Sequence, residues 1–147
     1  MADFQANIII AEPVELVFAY MANLGNAPEY MKNVEETHKI TEGTLAIGTK
    51  YQEIRKVRGK KAVAEIEFLS FEENISYITR SNSNGLIVDY EYEFSEVEEG
   101  TQVQFKANLH VKGFMMKLTK RMLVNILRAE DGDHLERVKK NLEEDVV

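Results

Sequence analysis

The sequence predicts an α+β fold in which a curved, seven-stranded antiparallel sheet wraps around a long C-terminal helix, with two short helices after the first strand. Three observations carry this reading. Between about residues 34 and 112, polar and apolar residues alternate with a period of two, the habit of strands with one packed and one wet face. The breaks between these segments are explicit turn signals: Glu42-Gly43, Arg58-Gly59, Glu73-Asn74, Asn84-Gly85 and Glu99-Gly100. Residues 114–144 then form the only run long enough for a helix of roughly eight turns at ~1.5 Å per residue, and such a helix can cover the apolar face of the sheet.

Phe4–Ile10 alternates and then runs apolar through Ile8, Ile9 and Ile10, as a strand with at least one buried face does. Pro13 suits a first helical turn, where its missing N–H costs nothing. Val14, Val17, Phe18 and Met21 follow at helical spacing, so a short helix runs to about Ala22 and breaks at Leu24-Gly25. Asn26 is placed to cap a second short helix around Pro28, with Glu29 completing a capping box; that helix carries Tyr30 and Met31 and ends near Asn33. Six strands are predicted next, over residues 34–41, 49–57, 60–71, 75–82, 86–97 and 101–112. The alternation is clearest in the last two, where Val88, Tyr90, Tyr92 and Phe94 share one face, and Val103, Phe105, Ala107, Leu109 and Val111 share the next.

The predicted long helix is uneven. Phe114, Met115, Met116, Leu118, Met122, Leu123, Val124, Ile126 and Leu127 make its first half apolar on nearly every side, whereas Leu135, Val138 and Leu142 form a single stripe. Asp131-Gly132-Asp133 falls between the halves, and a mid-helix glycine costs ~1 kcal/mol relative to alanine. Either the helix kinks near Gly132, or its first half has two buried faces, one for a ligand and one for the sheet or a dimer partner.

Composition narrows the function. Residues 1–147 fit a single domain, and 44% hydrophobic with 29% charged residues is ordinary for a globular chain. A net charge of −7 disfavours nucleic acid as a partner. The absence of cysteine excludes disulfides, thiol catalysis and thiolate metal sites. No basic n-region with an apolar core opens the sequence and no apolar run reaches the ~18 residues that span a bilayer; the expectation is a cytoplasmic protein without stable membrane insertion. The basic cluster Lys117, Lys120 and Arg121 is either a solvated helix face or a weak membrane-surface contact.

The order strand, two short helices, six strands, long helix resembles the START-like or SRPBCC superfamily, the helix-grip fold of the birch pollen allergen, and within it the polyketide cyclase/dehydrase-like branch. The residues that carry the likeness are Ala11-Glu12-Pro13-Val14-Glu15-Leu16-Val17-Phe18, Pro28-Glu29-Tyr30, Ile47-Gly48-Thr49, Glu99-Gly100-Thr101 and Leu135-Glu136-Arg137-Val138-Lys139. The family usually has tryptophan where Tyr30 stands, and this chain has no tryptophan. The resemblance implies a cavity between sheet and C-terminal helix that holds a small apolar molecule such as a lipid, quinone or polyketide-like compound. It calls for no cofactor and carries no single catalytic motif.

Within that frame Tyr51, Tyr77, Tyr90 and Tyr92 are candidate ligand contacts, since inward tyrosines give aromatic walls with hydroxyl handles; core packing is the alternative. Phe105 and Leu127 join them as apolar lining. Asp131 falls on the stripe of Leu135 and Val138, as a ligand contact or as the wet side of a kink. Glu36 and His38 are the only acid–imidazole pair with catalytic promise: facing inward with Val34 and Ile40, they form a general base two residues apart; on an edge strand, both are wet. The histidines lack metal-ligand spacing, so no metal site is expected. Three functions follow: a binding or carrier protein, a cyclase or dehydratase using Glu36 and His38, or an interaction module docking through the apolar face between Phe114 and Leu127.

Overall fold

A computed structural model of the protein describes residues 2–57, 59–110 and 114–144; the side chains of residues 57, 114–118, 130 and 131 lie outside that description. The element order is β1 (Phe4–Ile10), α1 (Val14–Ala22), a 3-10 turn (Leu24–Asn26), α2 (Ala27–Tyr30), β2 (Val34–Lys39), β3 (Lys50–Val57), β4 (Lys60–Glu72), β5 (Ser76–Ser83), β6 (Leu86–Val97), β7 (Gly100–His110), α3 (Phe114–Asp131) and α4 (His134–Glu144). The strands form one antiparallel sheet in the order β1-β7-β6-β5-β4-β3-β2, so the first strand pairs with the last.

The turns are made by residues that tolerate the backbone they need. Asn84 and Gly85 both have positive φ, 53° and 86°, the pairing that matches the twist of a two-residue hairpin. Gly100 opens β7 at φ 140°, and a Cβ there would stand 2.2 Å from the Ile10 carbonyl oxygen, so only glycine lets β7 pass the end of β1 and the residues that follow it.

One face of the sheet is packed. Phe68, Tyr77, Tyr92, Phe94, Val103 and Phe105 are buried, and α1 covers them with Val14, Val17, Phe18 and Met21. The rings meet at contact distance: Phe18 and Phe94 centroids are 5.0 Å apart, Tyr77 and Tyr92 4.8 Å, Tyr92 and Phe105 5.1 Å. Tyr30 and Tyr77 donate to the Met21 carbonyl at 3.1 and 3.2 Å, satisfying an acceptor in the last turn of α1 that has no helical partner. Burial raises the pKa of both tyrosines above the ordinary phenol value, so they remain neutral donors.

The C-terminal helix is two helices. α3 ends at Asp131, and α4 begins at His134. The Gly132 N–H donates to the Arg128 carbonyl at 2.8 Å, and a Cβ on Gly132 would lie 2.4 Å from that same oxygen. The glycine thus allows the chain to turn sharply against the end of α3. Of the two readings offered by the interruption, the break at Gly132 is the one observed. α4 is then held by polar contacts as well as its buried stripe of Leu135, Val138 and Leu142: Lys139 Nζ donates to the Ile9 carbonyl at 2.8 Å, and Glu143 accepts from the Ala11 N–H at 2.8 Å.

One local expectation is corrected, and one pair of alternatives is decided. Asn26 makes no side-chain cap on α2; its amide donates to the Tyr20 carbonyl at 3.0 Å, and Asn23 accepts from Gly25 N–H one turn earlier. β2 carries a bulge between Val34 and Glu36: Val34 pairs with Arg55, but Glu36 pairs with Ile54 and His38 with Gln52. One extra residue turns every later side chain to the other face, so Thr37 points inward, donating to the Leu24 carbonyl at 2.8 Å. Glu36 and His38 point outward.

Candidate ligand-binding cavity

The register places successive rows of side chains across the inner face. Phe68, Thr79, Tyr90 and Ala107 form one row, and Ile66, Ser81, Val88 and Leu109 the next. Beyond these the residues shrink: Ala62 stands opposite Arg55, Ala64 opposite Glu53, and Ser83 opposite Leu86. Small side chains on a curved sheet leave space that a single crossing helix does not fill. A cavity of about 230 Å³ results, walled by Ala62, Ala64, Ser81, Val88 and Tyr90 from the sheet and roofed by Leu123, Ile126 and Leu127 of α3.

The one ion pair on that inner face is Glu53 with Arg55 among the described residues, Arg55 Nε donating to Glu53 Oε1 at 2.8 Å. Arg55 is only 9% exposed and lines the cavity. A buried guanidinium requires such a partner, because desolvation of an unpaired charge is prohibitive. Tyr90, Ser81 and Ser83 add hydroxyls to a wall that is apolar apart from Arg55, and Ser83 donates to the Val63 carbonyl at 2.9 Å.

At the other end of the same face, His134 opens α4 fully buried, its Nε2 2.8 Å from the Tyr92 hydroxyl. The Phe105 ring packs at right angles to the imidazole with centroids 4.5 Å apart, and Tyr30 lies against it at 6.3 Å. Tyr30 thus stands in the tryptophan position as a ring between α1, Tyr20 and His134.

The predicted site residues divide accordingly. Tyr90 and Leu127 line the cavity. Tyr51, Tyr77, Tyr92 and Phe105 are buried in the packed core, and burial raises the Tyr51 pKa against a smaller opposing effect of a Leu24 backbone hydrogen bond. The Asp131 side chain, and the apolar start of α3 at Phe114, Met115, Met116 and Leu118, lie outside the described residues. Glu36 and His38 meet at 3.4 Å with side chains 62% and 59% exposed, on the outer edge rather than in the cavity. Glu53, Arg55 and His134 were not anticipated. The first two share the alternation of Tyr51 in β3 and were legible there; the burial of His134 depends on the turn at Gly132 and had no signal of its own. Among the described residues no cluster of three or more histidine or acidic side chains is arranged to hold a metal, and no helix is long and apolar enough to cross a membrane.

A seven-stranded sheet gripping a C-terminal helical segment, with a small apolar cavity between them, defines a helix-grip protein of the START-like class. The sequence matches the family described as polyketide cyclase / dehydrase and lipid transport over residues 1–143, and the chain belongs to that family. Its fold is shared by the TTHA0849 protein of Thermus thermophilus, at 16% identity and a TM-score of 0.78 over 97% of this chain and 98% of that one. The Zhui aromatase/cyclase of Streptomyces sp. R1128 matches at 12% identity and a TM-score of 0.78, covering 98% and 94% of the two chains. Ara h 8.0201 matches at 15% identity and 0.61, covering 90% and 97%. No curated protein matches the chain at a significant level. Family membership places the protein in a class whose roles are ligand binding or cyclase chemistry.

Proposed function

We propose that the protein binds and carries a small apolar molecule in the cavity under α3. The observation that carries this reading is the conjunction of small residues on the sheet, Ala62, Ala64 and Ser81, with Leu123, Ile126 and Leu127 above them. Replacing any of these alanines by a larger residue would fill the space, and a chain built only for stability gains by filling it. At 230 Å³ the cavity is somewhat larger than the ~150 Å³ apolar cavity that accepts benzene. It therefore suits one or two rings, or a short acyl segment. Tyr90 and Leu127 are proposed as contacts, with the Glu53–Arg55 pair at the wall for an oxygen on the ligand. Lipids, quinones and polyketide-like compounds all contain segments of this kind.

The second reading is a cyclase or dehydratase using the same cavity. It is favoured by Arg55 and Tyr90 in the wall, since a guanidinium and a neutral phenol can stabilise an enolate oxygen. The inward alternative for the β2 acid–imidazole pair is not available to it, because Glu36 and His38 face outward.

Native mass spectrometry of protein purified without organic solvent, followed by extraction and identification of bound molecules, tests binding directly. Uptake of an apolar fluorophore should be lost in Ala64→Phe, while the thermal unfolding midpoint stays near that of the parent. Uptake unchanged by that substitution would move the binding site elsewhere.

A further inference from the structure

The two ends of the sheet carry opposite charge. The loop and turns joining β2 to β3, β4 to β5 and β6 to β7 lie at one end, and there Glu42, Glu72, Glu73, Glu96, Glu98 and Glu99 are exposed. The β3–β4 and β5–β6 hairpins lie at the other end, roughly 40 Å away along β4 at ~3.3 Å per residue. Here the exposed charges are chiefly basic: Lys56, Lys60 and Lys61 on the β3–β4 hairpin. Lys61 lies 3.9 Å from Glu35, whereas Lys56, Lys60 and Arg121 have no ion-pair partner among the described residues. A net charge of −7 therefore hides a basic pole.

That pole coincides with the cavity. Arg55, Ala62, Ser83 and Leu86, which border the two hairpins, line it. On α3, Lys120 and Arg128 hold one side of the helix to β1, through Asp3 Oδ1 at 3.4 Å and the Asp3 carbonyl at 3.1 Å. Met122 and Ile126 share the side about half a turn away. Ile126 lines the cavity, but Met122 is 57% exposed, beside exposed Arg121. An unbranched apolar side chain thus stands in water one helical turn from Ile126 in the cavity roof.

We propose that this end of the molecule docks on anionic lipid surfaces, with Met122 entering the headgroup layer and Lys56, Lys60, Lys61 and Arg121 spread over the anionic headgroups. Lysines on a hairpin and a lone arginine suit a diffuse negative surface, where each acts as a point charge, better than a fixed set of carboxylates. The acidic pole is repelled by the same surface, so the field orients the approach. Docked this way, the cavity opens towards the lipid, and an apolar ligand moves between them with little exposure to water. The docking does not depend on what the cavity holds.

The test is flotation of the full chain with vesicles of phosphatidylcholine alone, or with about one-third phosphatidylserine. Binding is expected to the anionic vesicles only, and to fall steeply with salt. K56Q/K60Q/R121Q should bind about a hundredfold more weakly, at roughly fivefold per charge, and Met122→Ala should lose the binding that persists at high salt. E72Q/E73Q/E99Q should bind at least as well as the parent. Equal binding to both vesicle types, or equal loss in the two triple variants, overturns the proposal. Absence of binding to anionic vesicles overturns it too, and points the basic pole at an acidic protein. Fluorophore uptake needs no vesicles, so either of these failures leaves the cavity reading intact.

Discussion

The two halves of the sheet's inner face are built from the same strands and do opposite things. Towards the acidic pole, β4 to β7 present Phe68, Tyr77, Tyr92, Phe94 and Phe105, and α1 and α4 close over them with full burial and matched hydroxyls. Towards the basic pole the same strands present Ala62, Ala64, Ser81, Ser83 and Val88, and α3 bridges the gap without filling it. Residue size along each strand decides which half is solid. A close-packed interior tolerates few voids larger than a water molecule, so the stability of the fold is drawn from the first half and the second is free to vary.

Substitutions in the two halves should therefore differ in kind. The largest effect is expected from Phe105→Ala, which removes the ring packed on Phe4, Tyr90, Tyr92 and His134. A loss of about 3–5 kcal/mol in denaturant unfolding is the expectation; a loss below ~1 kcal/mol would mean the two halves are equally loose. Ala64→Phe in the other half should change unfolding by no more than about 1 kcal/mol, because it enters existing space. Gly132→Ala comes next. In an ordinary helix interior that change stabilises, but here the new Cβ meets the Arg128 oxygen at 2.4 Å. We expect a loss of about 1–3 kcal/mol, read as a lower melting temperature, and a stabilised variant would show that the break is not imposed by sterics. Tyr92→Phe, which deletes the hydroxyl contact to His134, should cost about 1–2 kcal/mol without changing fluorophore uptake.

The smallest effect belongs to the outer face. Burial would raise the Asp89 pKa, but hydrogen bonds from Arg80 at 2.7 and 2.8 Å and from His110 at 2.7 Å outweigh it and hold the carboxyl below its ordinary value. A carboxylate whose folded pKa is depressed contributes stability that is present above its unfolded pKa, near ~3.9, and is lost as pH falls through the folded pKa. Asp89→Asn should then flatten the acid limb of a stability–pH curve while leaving ligand uptake alone. An unchanged acid limb would place the loss of stability in other carboxylates.

Period-two alternation made the sheet legible, because burial of one face dictates it residue by residue: every predicted strand is present, and Tyr90 and Phe105 face inward as read. The same alternation left Glu36 and His38 open between an inward pair and a wet edge, since a bulge adds a residue that no side chain announces; the wet alternative is the one observed. The interruption at Asp131-Gly132-Asp133 signalled a break but not its geometry, which depends on contact between Gly132 and the preceding turn. The cavity was implied by the resemblance, yet of its walls only Tyr90 and Leu127 were picked out. Alanine and serine in a strand carry little pattern, and their meaning appears only when register lines them up beneath α3.

The pairing of the first strand with the last sets the timetable for folding. Thr101 reaches back to the Glu12 carbonyl across 89 residues, and β1 has no other neighbour in the sheet. On a ribosome adding about 5–20 residues per second, the segment holding Ile8, Ile9 and Ile10 waits on the order of ten seconds for its partner. Throughout that interval it is an unpaired, strongly β-prone stretch. Long-range closure of this kind slows folding, so newly made chains are expected to aggregate from the N-terminal strand, at a rate that chaperones acting before β7 emerges would suppress.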